Sequence, residues 1–203
     1  MIIYRVLDEI FKTWSNLAVL RALLDTNKGF TGNEAARVSG IHPNTAIKAL
    51  SSLEQLNIVN RQIGGRDHIF SLNREHFLVR EVIIKIFEIE NGFPKVLFNA
   101  LRSLLKNQVY SAVVFGSIAR KEESSSSDLD LCCIVNSKKD LQKVSQLLTE
   151  KSPELFKKFG VKPAPVIFLK SQFINKKKSK LVQNIVNEGV LITGKNPETL
   201  ING

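Results

Sequence analysis

The feature that most narrows the fold lies between residues 109 and 135. An apolar run, Val109 to Phe115, stops at Gly116-Ser117-Ile118-Ala119-Arg120. A polar loop follows, and Ser127-Asp128-Leu129-Asp130 then opens a second apolar run that ends at Val135. Two apolar runs of strand length, separated by a glycine turn and a polar loop, predict two buried strands with their connection at one end of a sheet. Glycine lets backbone approach a phosphate closely, and the backbone N–H groups after it, with the Ser117 hydroxyl, can hold an anion. Asp128 and Asp130 are two residues apart on a strand, so both carboxylates emerge on one face and can share a divalent ion. Cys132 and Cys133 point to opposite faces of the same strand, which disfavours a mutual disulfide or a metal pair and favours their reading as small core residues.

This constellation resembles the nucleotidyltransferase superfamily that includes DNA polymerase β and kanamycin nucleotidyltransferase, and above all its minimal members. The signature there is Gly-Ser, about ten residues, then Asp-x-Asp heading a hydrophobic strand. Here ten residues, Ile118 to Ser127, separate Gly116-Ser117 from Asp128-Leu129-Asp130, and Glu188-Gly189-Val190-Leu191-Ile192-Thr193-Gly194 is similar to the usual family ending. The resemblance runs from about 97 to 195. It implies an α/β domain with a mixed sheet, with Gly116, Ser117 and Arg120 binding NTP. Asp128 and Asp130 would be catalytic and hold Mg2+ or Mn2+ when nucleotide is bound. The family's third carboxylate lies on a later strand, and the matching run Lys162 to Leu169 contains no Asp or Glu. The last helix would have to swing Glu188 inward to replace it. Lys121 stands where many relatives have glycine.

The first 75 residues follow a different grammar. Ile3, Val6, Leu7, Ile10, Phe11 and Trp14 recur at helical spacing, a stripe that is either core or the seam of a homodimer. Ser15 is placed to cap a second helix, which ends near Asn27-Lys28-Gly29. Thr31-Gly32-Asn33-Glu34 has the spacing of a capping box, and its helix stops near Gly40; His42-Pro43-Asn44 opens another. That last helix, roughly 43 to 57, sets Ala46, Ala49, Leu50, Leu53 and Leu56 on one face and Asn44, Thr45, Lys48, Ser51, Ser52 and Gln55 on the other. Two β-rich runs about Gly64-Gly65 follow, with Arg61, Arg66 and His68 flanking the tip. Helix-turn-helix followed by a hairpin resembles the winged-helix domains of bacterial and archaeal transcription regulators. In that resemblance Asn44, Thr45, Lys48, Ser51 and Ser52 face the major groove of double-stranded DNA, and Arg61, Arg66 and His68 meet phosphate or a minor groove.

The expected fold class is therefore α+β in two domains: a winged helix of helices plus hairpin over 1–75, connecting helices over 76–107, and an α/β nucleotidyltransferase-like domain over 108–203. Asn91-Gly92-Phe93-Pro94 is expected to break the connecting helices, which hold the halves in a defined relation. Composition adds two constraints. The first 75 residues carry nine Lys+Arg against seven Asp+Glu, and the remainder 20 against 12; residues 155–187 contain eight lysines and no acid. The run Lys176-Lys177-Lys178-Lys180 reads as a solvated face or as a salt-sensitive contact for RNA, DNA or an acidic protein. No apolar stretch is long enough to span a membrane and no signal peptide is evident, so a cytoplasmic protein without a membrane partner is expected. The two halves together point to a DNA-binding transcriptional regulator whose C-terminal domain binds metal-NTP with little or no catalysis. The alternatives are an active enzyme moving NMP from NTP to a protein or small-molecule hydroxyl, and a pair of scaffolds for protein association.

Overall fold

A computed structural model describes residues 2–64 and 67–201. Two compact units divide between Gly92 and Phe93. The first contains α1 (Val6–Ile10), α2 (Trp14–Leu24), β1 (Phe30–Thr31), α3 (Gly32–Ser39), α4 (Pro43–Gln55), β2 (Val59–Gly64), β3 (Asp67–Leu72) and a π-helical turn, Val79–Ile83. A long helix, α5 (Ile84–Leu105), carries the division between units within it. The second unit continues with β4 (Ser111–Val114), α6 (Gly116–Arg120), β5 (Leu129–Val135), α7 (Lys138–Phe159), β6 (Pro163–Leu169), α8 (Lys170–Asn175), α9 (Lys180–Glu188) and β7 (Val190–Gly194).

In the first unit the local signals act as sequence chemistry dictates. Thr31 accepts from the Glu34 N–H while the Glu34 carboxylate accepts from the Thr31 N–H, so two orphan amides at the start of α3 are satisfied reciprocally. Those bonds hold the Glu34 carboxyl below the ordinary carboxylate range. Gly40 then closes the helix in the left-handed conformation at φ 66°. The apolar face of α4, with Leu50 and Leu53 fully buried, joins Leu20 and Leu23 of α2 and Ile83 in one core. The hairpin pairs β2 with β3, and β3 also pairs with β1, giving an antiparallel sheet in the order β1-β3-β2. Gly64 pairs with Asp67, so it belongs to the strand rather than to the turn. The expected contact residue Arg66 lies outside the described residues.

Two expectations are corrected. Thr13, not Ser15, caps α2: its hydroxyl accepts from the Asn16 N–H at 3.2 Å, while the Asn16 amide donates to the carbonyl of Ile10 at 3.0 Å. The tight joint between α1 and α2 thus starts the second helix two residues earlier than its apolar spacing suggests. Nor does the chain break at 91–94. α5 passes through Gly92 and Pro94 although an interior proline costs a helix about 3 kcal/mol. Burial on both sides offsets that cost: Phe87 sits in the first unit's core, and Leu97, Leu101 and Leu105 sit in the second's. The N-terminal stripe also divides, with Ile10 buried and Ile3, Leu7 and Trp14 exposed.

The second unit is a mixed sheet in the order β6-β5-β4-β7, parallel between β5 and β6 and antiparallel elsewhere. Helices cover both faces, which is why β5 is apolar at nearly every position instead of alternating. Leu129, Leu131, Cys133 and Val135 pack with α5 and α7, while Cys132 and Ile134 pack with α8 and α9. The two cysteines therefore sit on opposite faces, both free and buried; burial pushes the Cys133 thiol up to about 12 and raises that of Cys132 as well.

Candidate functional site

The strand register brings the chemical motif to one end of the second unit's sheet. Val114 pairs with Leu131 and with Val190, and the Phe115 N–H donates to the Asp130 carbonyl at 3.0 Å. The end of β4, the heads of β5 and β6, and the Glu188-Gly189 step before β7 thus lie together. Gly116 turns the chain here at φ 74°, and a Cβ on it would collide with the Asp130 carboxylate. The left-handed backbone favours glycine, and a side chain here would also push the Asp130 carboxylate out of place. α6 follows as a single short helix, and Lys121 ends it in the left-handed conformation at φ 60°. Lysine adopts this conformation at a cost of roughly 1 kcal/mol.

Between α6 and β5 the serine loop folds on itself: the Ser124 N–H donates to the Ser127 hydroxyl at 2.9 Å. Asp128 stands exposed just before β5, and Asp130, its second residue, is half-buried. On β6 the residue beside Asp130 is Ala164, flanked by Pro163 and Pro165. The position where a neighbouring strand could add a carboxylate to the pair therefore presents a methyl group. Among the described residues no group of three His, Cys, Asp or Glu side chains is placed to hold a metal ion. Two aspartates nonetheless fit one Mg2+, which keeps several waters and is often held by one or two carboxylates together with substrate phosphates.

Arg120 has partners that sequence reasoning missed. Its Nε donates to Glu122 at 2.8 Å and its Nη1 donates to Glu188 at 3.0 Å. The two carboxylates raise the guanidinium above its ordinary value, Glu122 contributing more than Glu188. Glu188 is thus held by Arg120, and among the described residues it forms no metal-holding group of three with Asp128 and Asp130. It meets the motif's arginine because α9 packs on α6. No local signal announces this pair, which is 68 residues apart in the chain.

In the first unit, the residues expected to contact DNA fall into two groups. Asn44 and Lys48 are exposed on the first half of α4, with Thr45 half-buried beside them. Ser51, Arg61 and His68 line one cleft together with Gly32, Asn33 and Asp67. Ser52 is half-buried. Arg61 is not a free cation, since its Nε pairs with Glu54 of α4 at 3.1 Å.

Residues 99–198 match the family model described as "Polymerase beta, Nucleotidyltransferase". No curated protein matches the chain. Among solved structures, that of the archaeal chromatin protein TrmBL2, described as showing a novel mode of DNA binding, aligns at 18% identity. The alignment covers 87% of this chain and 71% of that one with a TM-score of 0.30, too low an agreement for a shared architecture to be read from it. The Gly116-Ser117 turn and both aspartates fall inside the stretch matched by the family model, and residues 99–198 form a nucleotidyltransferase-like domain of the polymerase β superfamily.

Proposed function

We propose that the chain is a DNA-binding transcriptional regulator whose C-terminal domain binds metal-NTP and transfers nucleotide weakly or not at all. The observation that carries this reading is the corner at Gly116. Its backbone is pressed against a carboxylate that can take a divalent ion, while Ala164 occupies the neighbouring strand position. Gly116 and Ser117 would approach the phosphates, and Asp128 and Asp130 would hold Mg2+ or Mn2+, which when bound supplies charge neutralisation for the triphosphate. Transfer also needs a group to take the acceptor proton and a complete ligand set, and Ala164 supplies neither. For the first unit, the order of helices, turn and hairpin supports a winged-helix reading in which Asn44, Thr45, Lys48, Ser51 and Ser52 approach duplex DNA.

Calorimetric titration of MgATP and the other NTPs into the wild type and into Asp128→Asn/Asp130→Asn tests the nucleotide half. Heat of binding is expected in the wild type and not in the variant; no binding of any NTP to the wild type removes the proposal. α-labelled NTP decides the alternative of an active transferase. A labelled acceptor whose label disappears in Asp128→Asn would replace regulation with catalysis. Electrophoretic shifts of duplex DNA with and without MgATP test the regulatory part, since linkage requires nucleotide and DNA to change each other's affinity equally.

A further inference from the structure

The sheet of the second unit has two ends, and the second is cationic. Ser111 pairs with Ile134 and with Gly194, and Val135 pairs with Leu169. The chain segments that leave the sheet there are Lys138-Lys139 after β5, Lys170 after β6 and Lys195 after β7, with Tyr110 entering β4 between them. The Tyr110 N–H donates to the Ile134 carbonyl at 2.7 Å, and the Lys195 N–H donates to the Tyr110 carbonyl at 3.0 Å. Gly194 allows this approach, because a Cβ there would collide with that carbonyl. Lys170 Nζ lies 3.7 Å from the Tyr110 ring centroid and Lys195 Nζ lies 5.9 Å from it, while Lys176 Nζ is 5.7 Å from the ring of Phe168. These lysines rest on aromatic rings or in solvent, and among the described residues none of them forms an ion pair. The acids in the adjoining segments are Asp140, bonded to the Ser137 hydroxyl, and Glu198.

This end is not part of the nucleotide corner. From Asp130 to Val135 is five strand steps, roughly 16 Å at ~3.3 Å each, which exceeds the screening length of about 8–10 Å in physiological salt. Lys170 and Lys195 follow the two outer strands of the sheet, yet their Nζ atoms lie 3.7 and 5.9 Å from one ring centroid, so the cations gather in a cluster suited to neighbouring phosphates of one backbone. The Tyr110 ring is half-buried under a lysine and so offers no platform for stacking an unpaired base. Val135 is buried and Leu169 half-buried, so neither stands out to enter a bilayer. We propose that the lysine-bearing end of this sheet, around Tyr110, binds the phosphate backbone of duplex DNA without reading sequence. It would act independently of both the nucleotide corner and the polar face of α4.

The test is fluorescence anisotropy of the full chain with two unrelated labelled duplexes over a salt series, in a Lys48→Ala/Arg61→Ala/Arg66→Ala background that removes the three cations expected to meet DNA through the first unit. The variant is Lys138→Gln/Lys139→Gln/Lys170→Gln/Lys195→Gln, and the matching set of four Lys→Arg changes controls for packing. Four phosphate contacts predict that log K against log salt is shallower by about 3.6 in the Gln variant, equally for both duplexes, and unchanged in the Arg variant. For the parent this adds an affinity loss of roughly 100-fold between 50 and 200 mM salt. An unchanged slope in the Gln variant, loss of binding in the Arg variant, tighter binding of a single strand than of duplex, or stronger competition by poly-glutamate than by unlabelled duplex would each overturn the proposal.

Discussion

The polar face of α4 and the corner at Gly116 both present candidate binding residues, but they are held in opposite ways. On α4 the apolar half is fixed in the core, while Asn44, Lys48 and Gln55 of the polar half stand in solvent and are exchangeable without moving backbone. At the corner, backbone and carboxylate are packed so closely that one methyl group would displace the Asp130 carboxylate. The first arrangement suits a surface whose specificity changes by substitution, and the second suits a site whose chemistry requires one geometry. Each side of the contrast can be broken by substitution, and the effects differ in size.

The largest effect belongs to the hidden half of α4. Leu50→Ala removes a fully buried side chain from the first unit's core and is expected to cost about 2–5 kcal/mol, read as a lower denaturant midpoint. A cost below ~1 kcal/mol would mean that α4 is not anchored as its burial indicates. Next comes Gly116→Ala, which places a side chain both in a left-handed backbone and against Asp130. A loss of roughly 1–3 kcal/mol is expected from backbone strain, together with loss of MgATP binding. Wild-type binding by this variant would show that the corner is not where nucleotide sits.

A smaller effect lies at the start of α3. Thr31→Ala removes the cap and is expected to cost about 1 kcal/mol. It also has a pH signature. The Thr31 N–H, and then its hydroxyl, depress the Glu34 carboxyl in the folded state. That contribution is present above the ordinary value near 4.5 and is lost as pH falls through the lower folded value. The variant should therefore lose less stability than the wild type on acidification over that window. Chemical unfolding at pH 7 and at pH 3 measures the difference, and parallel losses in the two proteins would remove the reciprocal cap from the account.

The capping box, the αL glycine at residue 40 and the strand either side of Gly116 were legible because each is a short pattern in which local chemistry and tertiary packing agree. The pairing of Asp130 with Gly116 was legible in part: the motif announced both residues, but their collision distance depends on the β4–β5 register. The passage of α5 through Gly92-Phe93-Pro94 was not legible, because local propensity reads as a break and only burial of Phe87 and Leu97 on either side overrides it. The same limit applies to Arg120 and Glu188, and to the gathering of Lys138, Lys170 and Lys195. These are consequences of strand order, and nothing in the spacing of single lysines encodes which strand ends become neighbours.

The smallest effect on stability sharpens the comparison most. Lys48 is exposed on α4 and forms no ion pair among the described residues, so Lys48→Ala should change stability by less than about 0.5 kcal/mol. If the polar face of α4 meets duplex DNA, the same change should weaken binding of unrelated sequences alike and reduce the salt slope by about one. Asn44→Ala, by contrast, should alter the preference among sequences, because an amide at the head of such a helix reads base edges while an ammonium reads phosphate. Anisotropy titrations of both variants against a small panel of duplexes separate the two roles. Equal slopes in wild type and Lys48→Ala would remove the phosphate contact by α4 and leave DNA binding to the cations of the hairpin or to the lysines of the second unit.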